Sequence, residues 1–241
     1  MSEARAQVAV VTGGSRGIGA AVVESLAERG LSVFFCASSP ESAAQAEARF
    51  GERFGDRVRG AAVDVRDQAA VEAYVAGVEN EAGGIDVLVN NAGLGRFAPV
   101  DELSGDDFRR VIETNLLGCF YFLRAVAPGM KRRGSGWVFN IGSLASKNPF
   151  PGGAAYNASK FGLLGMSEAA MLDLRPHGIR VAAILPGSVD TGFRPESGAD
   201  NSWMLASEDV ARAVTDLLAY PGRALPSLIE LRPSRPQKRN L

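Results

Sequence analysis

Short apolar stretches alternate with longer amphipathic stretches along almost the whole chain. The first, residues 8–12 (VAVVT), is a run of small and β-branched residues typical of a strand that is buried on both faces. The same pattern predicts further strands at 31–37, 58–65, 85–89, 137–141, 180–185 and 228–231. The amphipathic stretches predict helical crossovers, which join parallel strands. We therefore expect an α/β fold with one doubly wound parallel sheet of about seven strands.

Two of the predicted helices are long. Residues 104–107 have the form of a capping box and begin a helix to about residue 133, with an interruption near Pro128. Asn115 lies within this helix among apolar neighbours, which places its amide near a buried face. The second long helix is predicted over 154–175.

Three segments are predicted to be irregular. Residues 144–153 contain two prolines and two glycines and should lie at the mouth of a site. Residues 192–204 are rich in polar residues, Pro and Gly, and we interpret the connection 192–206 as a mobile substrate lid. Residues 232–241 are expected to form a surface tail, which a subunit contact could hold. Because no repeat or low-complexity linker occurs, 1–241 is predicted to be a single domain.

Composition and charge narrow the function classes. The 241 residues are 46% hydrophobic, which supports the core of one large domain. With 26 Lys and Arg against 27 Asp and Glu, the formal charge of −1 gives no field that would recruit nucleic acid or an anionic membrane. We find no stretch of signal-peptide or membrane-spanning form, so a cytoplasmic location is expected.

The cysteines and the histidine do not indicate metal or thiol chemistry. Cys36 falls in a predicted strand and Cys119 in a predicted helix, which favours two buried free thiols over a disulfide. The single histidine, His177, follows a proline and has no cluster of ligands near it in sequence. No metal site is predicted.

A glycine-rich turn, residues 13–19 (GGSRGIG), follows the first strand and opens a helix. Such a unit binds phosphate, because glycines let the backbone approach a pyrophosphate and the free N–H groups of the helix face it. Its spacing, Gly-x-x-x-Gly-x-Gly, differs from the common dinucleotide fingerprint and from a P-loop. We expect a nucleotide here.

The end of the second strand bears on the choice of cofactor. An acidic residue there would hold the adenosine ribose hydroxyls of NAD, whereas a basic or hydroxyl environment accommodates the 2′-phosphate of NADP. The sequence offers Ala37, Ser38 and Ser39 with no acid, and Arg16 in the glycine turn points to the same side of the adenosine. NADP(H) is therefore favoured.

A tyrosine and a lysine are spaced for acid–base chemistry. If the stretch from residue 154 is helical, Tyr156 and Lys160 stand at i and i+4 on one face. A phenol titrates near pH ~10, so work near neutrality needs a pKa shift of roughly three units, part of which an adjacent ammonium supplies. Ser143, just beyond the fifth strand, is the hydroxyl that we expect beside them.

Taken together, these residues resemble the short-chain dehydrogenase/reductase family. The motifs, in chain order, are residues 12–19 (TGGSRGIG), 90–93 (NNAG), Asn115, Ser143 with the Tyr156-x-x-x-Lys160 pair, and 186–191 (PGSVDT). The resemblance covers about residues 7–231 and is strongest to the 3-oxoacyl-(acyl-carrier-protein) reductase type. It implies a Rossmann-type three-layer αβα sandwich and a homodimer or homotetramer formed through the two long helices.

The resemblance also implies roles for individual residues. Tyr156 would be the general acid and base, Lys160 would lower its pKa and hold the nicotinamide ribose, and Ser143 would donate a hydrogen bond to the substrate oxygen. Asn115 would help to hold a water that links Lys160 to solvent. The NADP(H) contacts it implies are Gly13, Ser15, Arg16, Gly17, Ile18 and Gly19 at the pyrophosphate and adenosine, Ser38 at the 2′-phosphate, Asp64 and Val65 at the adenine, Asn91, Ala92 and Gly93 at the ribose, and Pro186, Gly187, Val189 and Thr191 near the nicotinamide.

The substrate and the direction of reaction stay open at this stage. Many similar acyl reductases end in a Gly-Gly turn after the last strand, and this chain has residues 225–233 (LPSLIELRP) instead. Smaller ketones, aldehydes, diketones or secondary alcohols are therefore alternatives to an acyl thioester. An NAD-dependent secondary-alcohol dehydrogenase and a non-catalytic NADP-binding sensor are the alternative functions.

Overall fold

The computed structural model describes residues 6–191 and 201–235, and its centre is a sheet of seven parallel strands. The strands are β1 (Val8–Thr12), β2 (Ser32–Ala37), β3 (Val58–Ala62), β4 (Val87–Asn90), β5 (Gly136–Ile141), β6 (Ile179–Pro186) and β7 (Leu228–Leu231). Their order in the sheet is β3-β2-β1-β4-β5-β6-β7. The strand order reverses between β1 and β4, and ligands bind at the carboxyl ends of strands at such a point.

Helices cover both faces of the sheet, which makes a three-layer αβα sandwich. The helices are α1 (Gly17–Glu28), α2 (Pro40–Phe54), α3 (Gln68–Ala82), α4 (Gly105–Ile112), α5 (Gly118–Arg133), α6 (Ala154–Leu174) and α7 (Ser207–Leu218). Buried side chains of α1, α2 and α7 pack on one face, and those of α3, α5 and α6 pack on the other. The predicted fold class is confirmed.

Alternate residues of each buried strand serve the two cores. In β1, Ala9 and Val11 belong to the core under α1, whereas Val8 and Val10 belong to the core under α3 and α5. All four are at most 2% exposed, which explains the continuous apolar run of this strand. In the described part of the chain, no helix combines the length and apolar character needed to cross a bilayer.

The predicted interruption of the long helix at Pro128 is wrong. Helix α5 continues through Pro128, and the break lies earlier, in a π-helical segment at Glu113–Leu117. Pro128 is tolerated because it lies on the exposed side, where the carbonyl that loses its amide partner can reach water. The π-helical segment contains Asn115, which is fully buried as expected.

Parts of the predicted lid and of the predicted surface tail lie outside the described residues. These are 192–200 of the lid and 236–241 of the tail. The last residues of the lid connection are held against the loop after β6, since Leu205 exchanges backbone hydrogen bonds of 2.9 Å with Ser188 and Asp190. Strand β3 ends at Ala62, three residues earlier than predicted.

Candidate active site

The glycine-rich turn after β1 packs closely against the turn after β4. Gly13 has a φ of 65°, and a Cβ there would lie 3.0 Å from the Cα of Ala92. At Gly19, a Cβ would overlap the carbonyl oxygen of Gly13. Glycine at both positions therefore lets the backbone form a cradle at the N-terminus of α1, which is where a pyrophosphate binds in such a turn.

Thr12 joins the two turns, a role that the sequence analysis did not assign. Its Oγ1 accepts hydrogen bonds of 2.9 Å from the backbone amides of both Asn91 and Ala92. The side-chain amide of Asn91 donates in return to the carbonyl oxygens of Thr12 at 3.0 Å and Gly13 at 3.1 Å. A hydroxyl residue at the end of an otherwise aliphatic strand is the sequence signal for this bridge.

A cavity of about 1050 Å³ opens at the carboxyl ends of the strands. This volume is at the upper end of the range for small-molecule sites and is suited to a dinucleotide with a small substrate. The predicted site residues that line it are Gly13, Ser15, Arg16, Gly17, Ile18, Ser38, Asp64, Val65, Asn91, Ala92, Gly93, Ser143, Tyr156, Lys160, Pro186, Gly187, Val189 and Thr191. Gly19 and Asn115 are not among the residues that line it.

Tyr156 and Lys160 lie one helical turn apart at the start of α6. The Lys160 side chain is buried, with 5% of the residue exposed, and its ammonium donates to the carbonyl oxygen of Ile141 at 2.9 Å. The same ammonium lies 5.7 Å from the centroid of the Tyr156 ring. A buried positive charge is thus fixed beside the phenol, as the i, i+4 spacing predicted.

Ser143 presents its hydroxyl to the same cavity from the end of β5. It caps a short 3₁₀ turn, Leu144–Ser146, and its Oγ accepts from the amide of Ala145 at 3.1 Å. A hydroxyl that accepts one hydrogen bond keeps its own hydrogen for donation. The backbone therefore orients this oxygen while leaving it able to donate to a ligand.

Asn115 connects three parts of the site from behind. Its Oδ1 accepts from the amide of Leu94 at 2.8 Å, and its Nδ2 donates to the Leu94 carbonyl oxygen at 2.9 Å and to Ser159 Oγ at 3.0 Å. Ser159 in turn donates to the carbonyl oxygen of Tyr156 at 2.8 Å. The Asn115 carbonyl oxygen accepts from the thiol of Cys119 at 3.3 Å.

The loops after β2 and β3 define the end of the cavity where the sequence analysis expects the adenosine. Ser38 and the exposed Arg16 line it, and it is the neighbouring Ser39 that caps α2 by accepting from Ser42 N at 3.3 Å. Arg66, which the sequence analysis did not single out, forms a bidentate pair with Asp64, with distances of 2.6 Å and 2.9 Å. The hydrogen bonds from Arg66 hold the pKa of Asp64 below its usual value.

Comparison with known proteins identifies the family to which this site belongs. The sequence profile described as "short chain dehydrogenase" matches residues 7–202. The chain belongs to the short chain dehydrogenase family. This confirms the resemblance predicted from the motifs.

Curated members of the family with different substrates are similar to this chain. A 3-oxoacyl-(acyl-carrier-protein) reductase of Vibrio cholerae is 37% identical over 77% of this chain and 74% of the relative. A putative ketoacyl reductase of Streptomyces coelicolor is 36% identical over 89% of this chain and 84% of the relative. A 3alpha-hydroxysteroid dehydrogenase of Mediterraneibacter gnavus is 35% identical over 77% and 74%, respectively.

Two solved structures share the whole fold. A metagenomic short-chain oxidoreductase in complex with NADP has a TM-score of 0.84 at 35% identity and covers 96% of this chain and 99% of its own. An alcohol dehydrogenase from Thermococcus sibiricus complexed with 5-hydroxy-NADP has a TM-score of 0.88 at 31% identity and covers 97% and 100%.

The C-terminal ending of this short chain dehydrogenase is attached to the loop after β5. This ending lacks the Gly-Gly turn that the sequence analysis expected of many acyl reductases. Glu230 on β7 accepts from Lys147 of that loop at 2.9 Å and from Arg232 at 2.8 Å. These hydrogen bonds, that from Lys147 first, hold the pKa of the Glu230 carboxyl below its usual value. The amide of Gly187 donates to the Leu231 carbonyl oxygen at 2.8 Å, so the ending also contacts the loop after β6.

Proposed function

We propose that this protein is an NADP(H)-dependent oxidoreductase that reduces a carbonyl compound to an alcohol, with Tyr156 as the general acid. The substrate would be a 3-oxoacyl thioester, a ketone or an aldehyde. The observation that carries the proposal is that Tyr156, Lys160 and Ser143 face one cavity whose other end is the glycine cradle. This arrangement would bring proton transfer and cofactor binding to a single site.

The residues around Tyr156 suit proton transfer to a carbonyl oxygen. The phenol would donate its proton to the substrate oxygen while the Ser143 hydroxyl donates a hydrogen bond to the same atom. The Lys160 ammonium, 5.7 Å from the ring centroid, would stabilise the negative charge that remains on the phenol oxygen. NADPH would supply the hydride when it is bound in the cavity. Asn115 would hold the start of α6 next to the loop after β4, through its hydrogen bonds to Ser159 and Leu94.

NADP(H) is the cofactor that the adenosine end supports. Ser38 and Arg16 would contact the 2′-phosphate, and no carboxylate stands at the end of β2, where Ala37 and Ser38 line the cavity. The two solved relatives named above contain NADP or its 5-hydroxy derivative. The Asp64–Arg66 pair would present a fixed carboxylate to the adenine.

We also propose that residues 1–241 form one catalytic domain that works as a homodimer or homotetramer. Support comes from large apolar side chains exposed on the two long helical stretches. Five of them, Phe108, Leu117, Phe120, Phe161 and Leu172, are between 36% and 53% exposed. Burial of such side chains between subunits would remove them from water.

The test is oxidation of NADPH and of NADH, followed by absorbance, with an acetoacetyl thioester, a vicinal diketone, an aromatic aldehyde and a cyclic ketone. Wild type and Tyr156→Phe are compared on each. Reduction that uses NADPH and is lost in Tyr156→Phe is the expected result, with NADPH binding retained in the variant. A preference for NADH would favour the NAD-dependent alcohol dehydrogenase. Tight NADPH binding without turnover of any compound would favour the sensor.

A further inference from the structure

Three aromatic rings meet beside the phenol that we assign to proton transfer. The ring centroids of Phe97 and Tyr156 are 5.6 Å apart, those of Phe97 and Phe150 are 5.8 Å apart, and those of Phe150 and Tyr156 are 6.4 Å apart. These separations lie within the range of favourable ring pairs. We call Phe97, Phe150 and Tyr156 the aromatic wall, and all three residues line the cavity.

The aromatic wall is assembled from three separate segments of the chain. Phe97 comes from the loop after β4, Phe150 from the loop after β5, and Tyr156 from the first turn of α6. A backbone hydrogen bond of 3.0 Å from the amide of Ala98 to the carbonyl oxygen of Gly152 fastens the two loops together next to the rings. The positions of the two phenylalanines are therefore coupled.

Asn157 fixes the Phe150 loop to the catalytic helix. Its Oδ1 accepts from the amide of Phe150 at 3.3 Å, and its Nδ2 donates to the carbonyl oxygen of Ala145 at 2.8 Å. Only 7% of Asn157 is exposed, so these hydrogen bonds are shielded from water. The wall is thus held in place by the protein before any substrate binds, which lowers the cost of ordering it on binding.

The wall offers apolar surface, and the arginine next to Phe97 is already paired. Phe97 contacts two other rings but remains 38% exposed, which leaves part of its surface available to a ligand. Arg96, its neighbour along the cavity lining, places Nε 3.2 Å from a carboxylate oxygen of Asp107. Trp203 and Met204 add apolar lining to the same cavity. This environment suits a neutral, flat group better than a carboxylate or a phosphate.

We propose that the substrate carries an aromatic ring attached to the reacting carbonyl carbon, either directly or through one intervening atom, as in aryl ketones and aryl aldehydes. The inference rests on the proposed function, since it places the carbonyl at Tyr156. A ring held against Phe97 sits beside the phenol, so the oxygen of the attached carbonyl is brought to the proton donor. One favourable ring pair corresponds to a preference of about two- to tenfold over a saturated ring of similar size.

The test compares acetophenone with cyclohexyl methyl ketone, which differ in ring planarity and have similar size. We expect kcat/KM with NADPH to be about two- to tenfold higher for acetophenone in the wild type. In Phe97→Leu, which keeps an apolar side chain, the ratio should fall about two- to tenfold below its wild-type value while NADPH affinity is unchanged. Tyr220→Leu is the matched control, because Tyr220 is 46% exposed, does not line the cavity and is not among the residues assigned to a subunit contact, and its ratio should equal that of the wild type.

Binding separates failure of this inference from failure of the proposed function. Calorimetric titration of acetophenone into NADPH-loaded Tyr156→Phe, with and without Phe97→Leu, measures ring recognition without turnover. Weaker binding in the double variant supports the wall as a ring subsite even if no carbonyl compound is reduced. Equal kcat/KM for the two ketones, together with equal acetophenone binding in the two variants, would overturn the inference. Reduction of an acetoacetyl thioester by the same wild-type preparation would still leave the proposed function standing.

Discussion

Lys160 donates a hydrogen bond from its ammonium to the backbone carbonyl oxygen of Ile141 at 2.9 Å. The bond joins helix α6 to the last residue of β5, two residues before Ser143. One buried side chain therefore links the helix that carries Tyr156 directly to the strand end that precedes Ser143. Together with the hydrogen bond from Asn157 Nδ2 to the Ala145 carbonyl oxygen, it holds the residues proposed for chemistry in position relative to one another.

Replacement of this ammonium by an uncharged chain of similar length should abolish most activity. We expect Lys160→Met to lower kcat/KM by about 100-fold or more, the contribution typical of a positioned acid–base group. The Ile141 carbonyl oxygen also loses its donor, which should lower the free energy of unfolding by about 1–3 kcal/mol. Steady-state kinetics and urea denaturation measure the two effects.

The control is Lys131→Met, the same chemical change at an exposed position in the last turn of α5. Its kinetics should match those of the wild type. Turnover by Lys160→Met within a few-fold of the wild-type rate would show that the charge beside Tyr156 is dispensable.

A carboxylate at the end of β2 should reverse the cofactor preference. Ser38→Asp places a negative charge where we assign the 2′-phosphate, so the affinity for NADPH should fall about tenfold or more relative to NADH. Dissociation constants from cofactor fluorescence report both values. Ser135→Asp is the control and should leave the ratio unchanged. Ser135 is exposed and precedes β5, at the amino ends of the strands, whereas Ser38 lies at the carboxyl ends. An unaltered ratio in Ser38→Asp would remove Ser38 from the phosphate site.

Two glycine substitutions should have opposite effects because their surroundings differ. A Cβ at Gly19 would overlap the Gly13 carbonyl oxygen and lie 2.5 Å from Asn91 Nδ2, so Gly19→Ala must displace the cradle. We expect NADPH affinity to fall at least about tenfold and thermal stability to decrease. Gly77, within α3, has no atom near its Cβ position. Gly77→Ala should raise the free energy of unfolding by about 0.5–1 kcal/mol with NADPH binding unchanged. Normal NADPH binding by Gly19→Ala would contradict the assigned cradle.

The sequence predicted those parts of the fold and site that depend on local pattern. Continuous apolar runs such as residues 8–12 mark strands buried on both faces, and the alternation with helices leaves few topologies. The spacing of Tyr156 and Lys160 works in the same way, because one helical turn brings residues four apart together wherever the helix lies. The glycines of the turn after β1 likewise act through their own backbone.

Contacts between distant loops could not be predicted in this way. Phe97 and Phe150 are brought together by the packing of two loops, and no periodicity relates positions so far apart. The π-helical segment at Asn115 is another case, because its buried amide is satisfied by Leu94 and Ser159 only in the folded chain. Arg66 was missed for a different reason. It stands two residues from Asp64, but an arginine in a loop has many alternative partners, and only the structure shows it bound to Asp64.

The most informative remaining test concerns Asn157, whose amide holds the Phe150 loop to α6. Asn157→Ala removes the acceptor for Phe150 N and the donor to the Ala145 carbonyl oxygen. Loss of these shielded hydrogen bonds should lower the free energy of unfolding by about 1–3 kcal/mol. If Asn157 acts by positioning the loop, KM for the carbonyl substrate should rise several-fold more than kcat falls, and NADPH affinity should be retained because the cradle is untouched.

A matched variant separates positioning from general destabilisation. Thr215 is 4% exposed, and its Oγ1 donates to the Arg212 carbonyl oxygen at 3.0 Å on α7, outside the cavity. Thr215→Val should lower stability by a comparable amount while KM stays at the wild-type value. A rise in KM in both variants, or in neither, would mean that Asn157 contributes to folding alone. A rise confined to Asn157→Ala would make the Phe150 loop, and with it the aromatic wall, part of substrate binding.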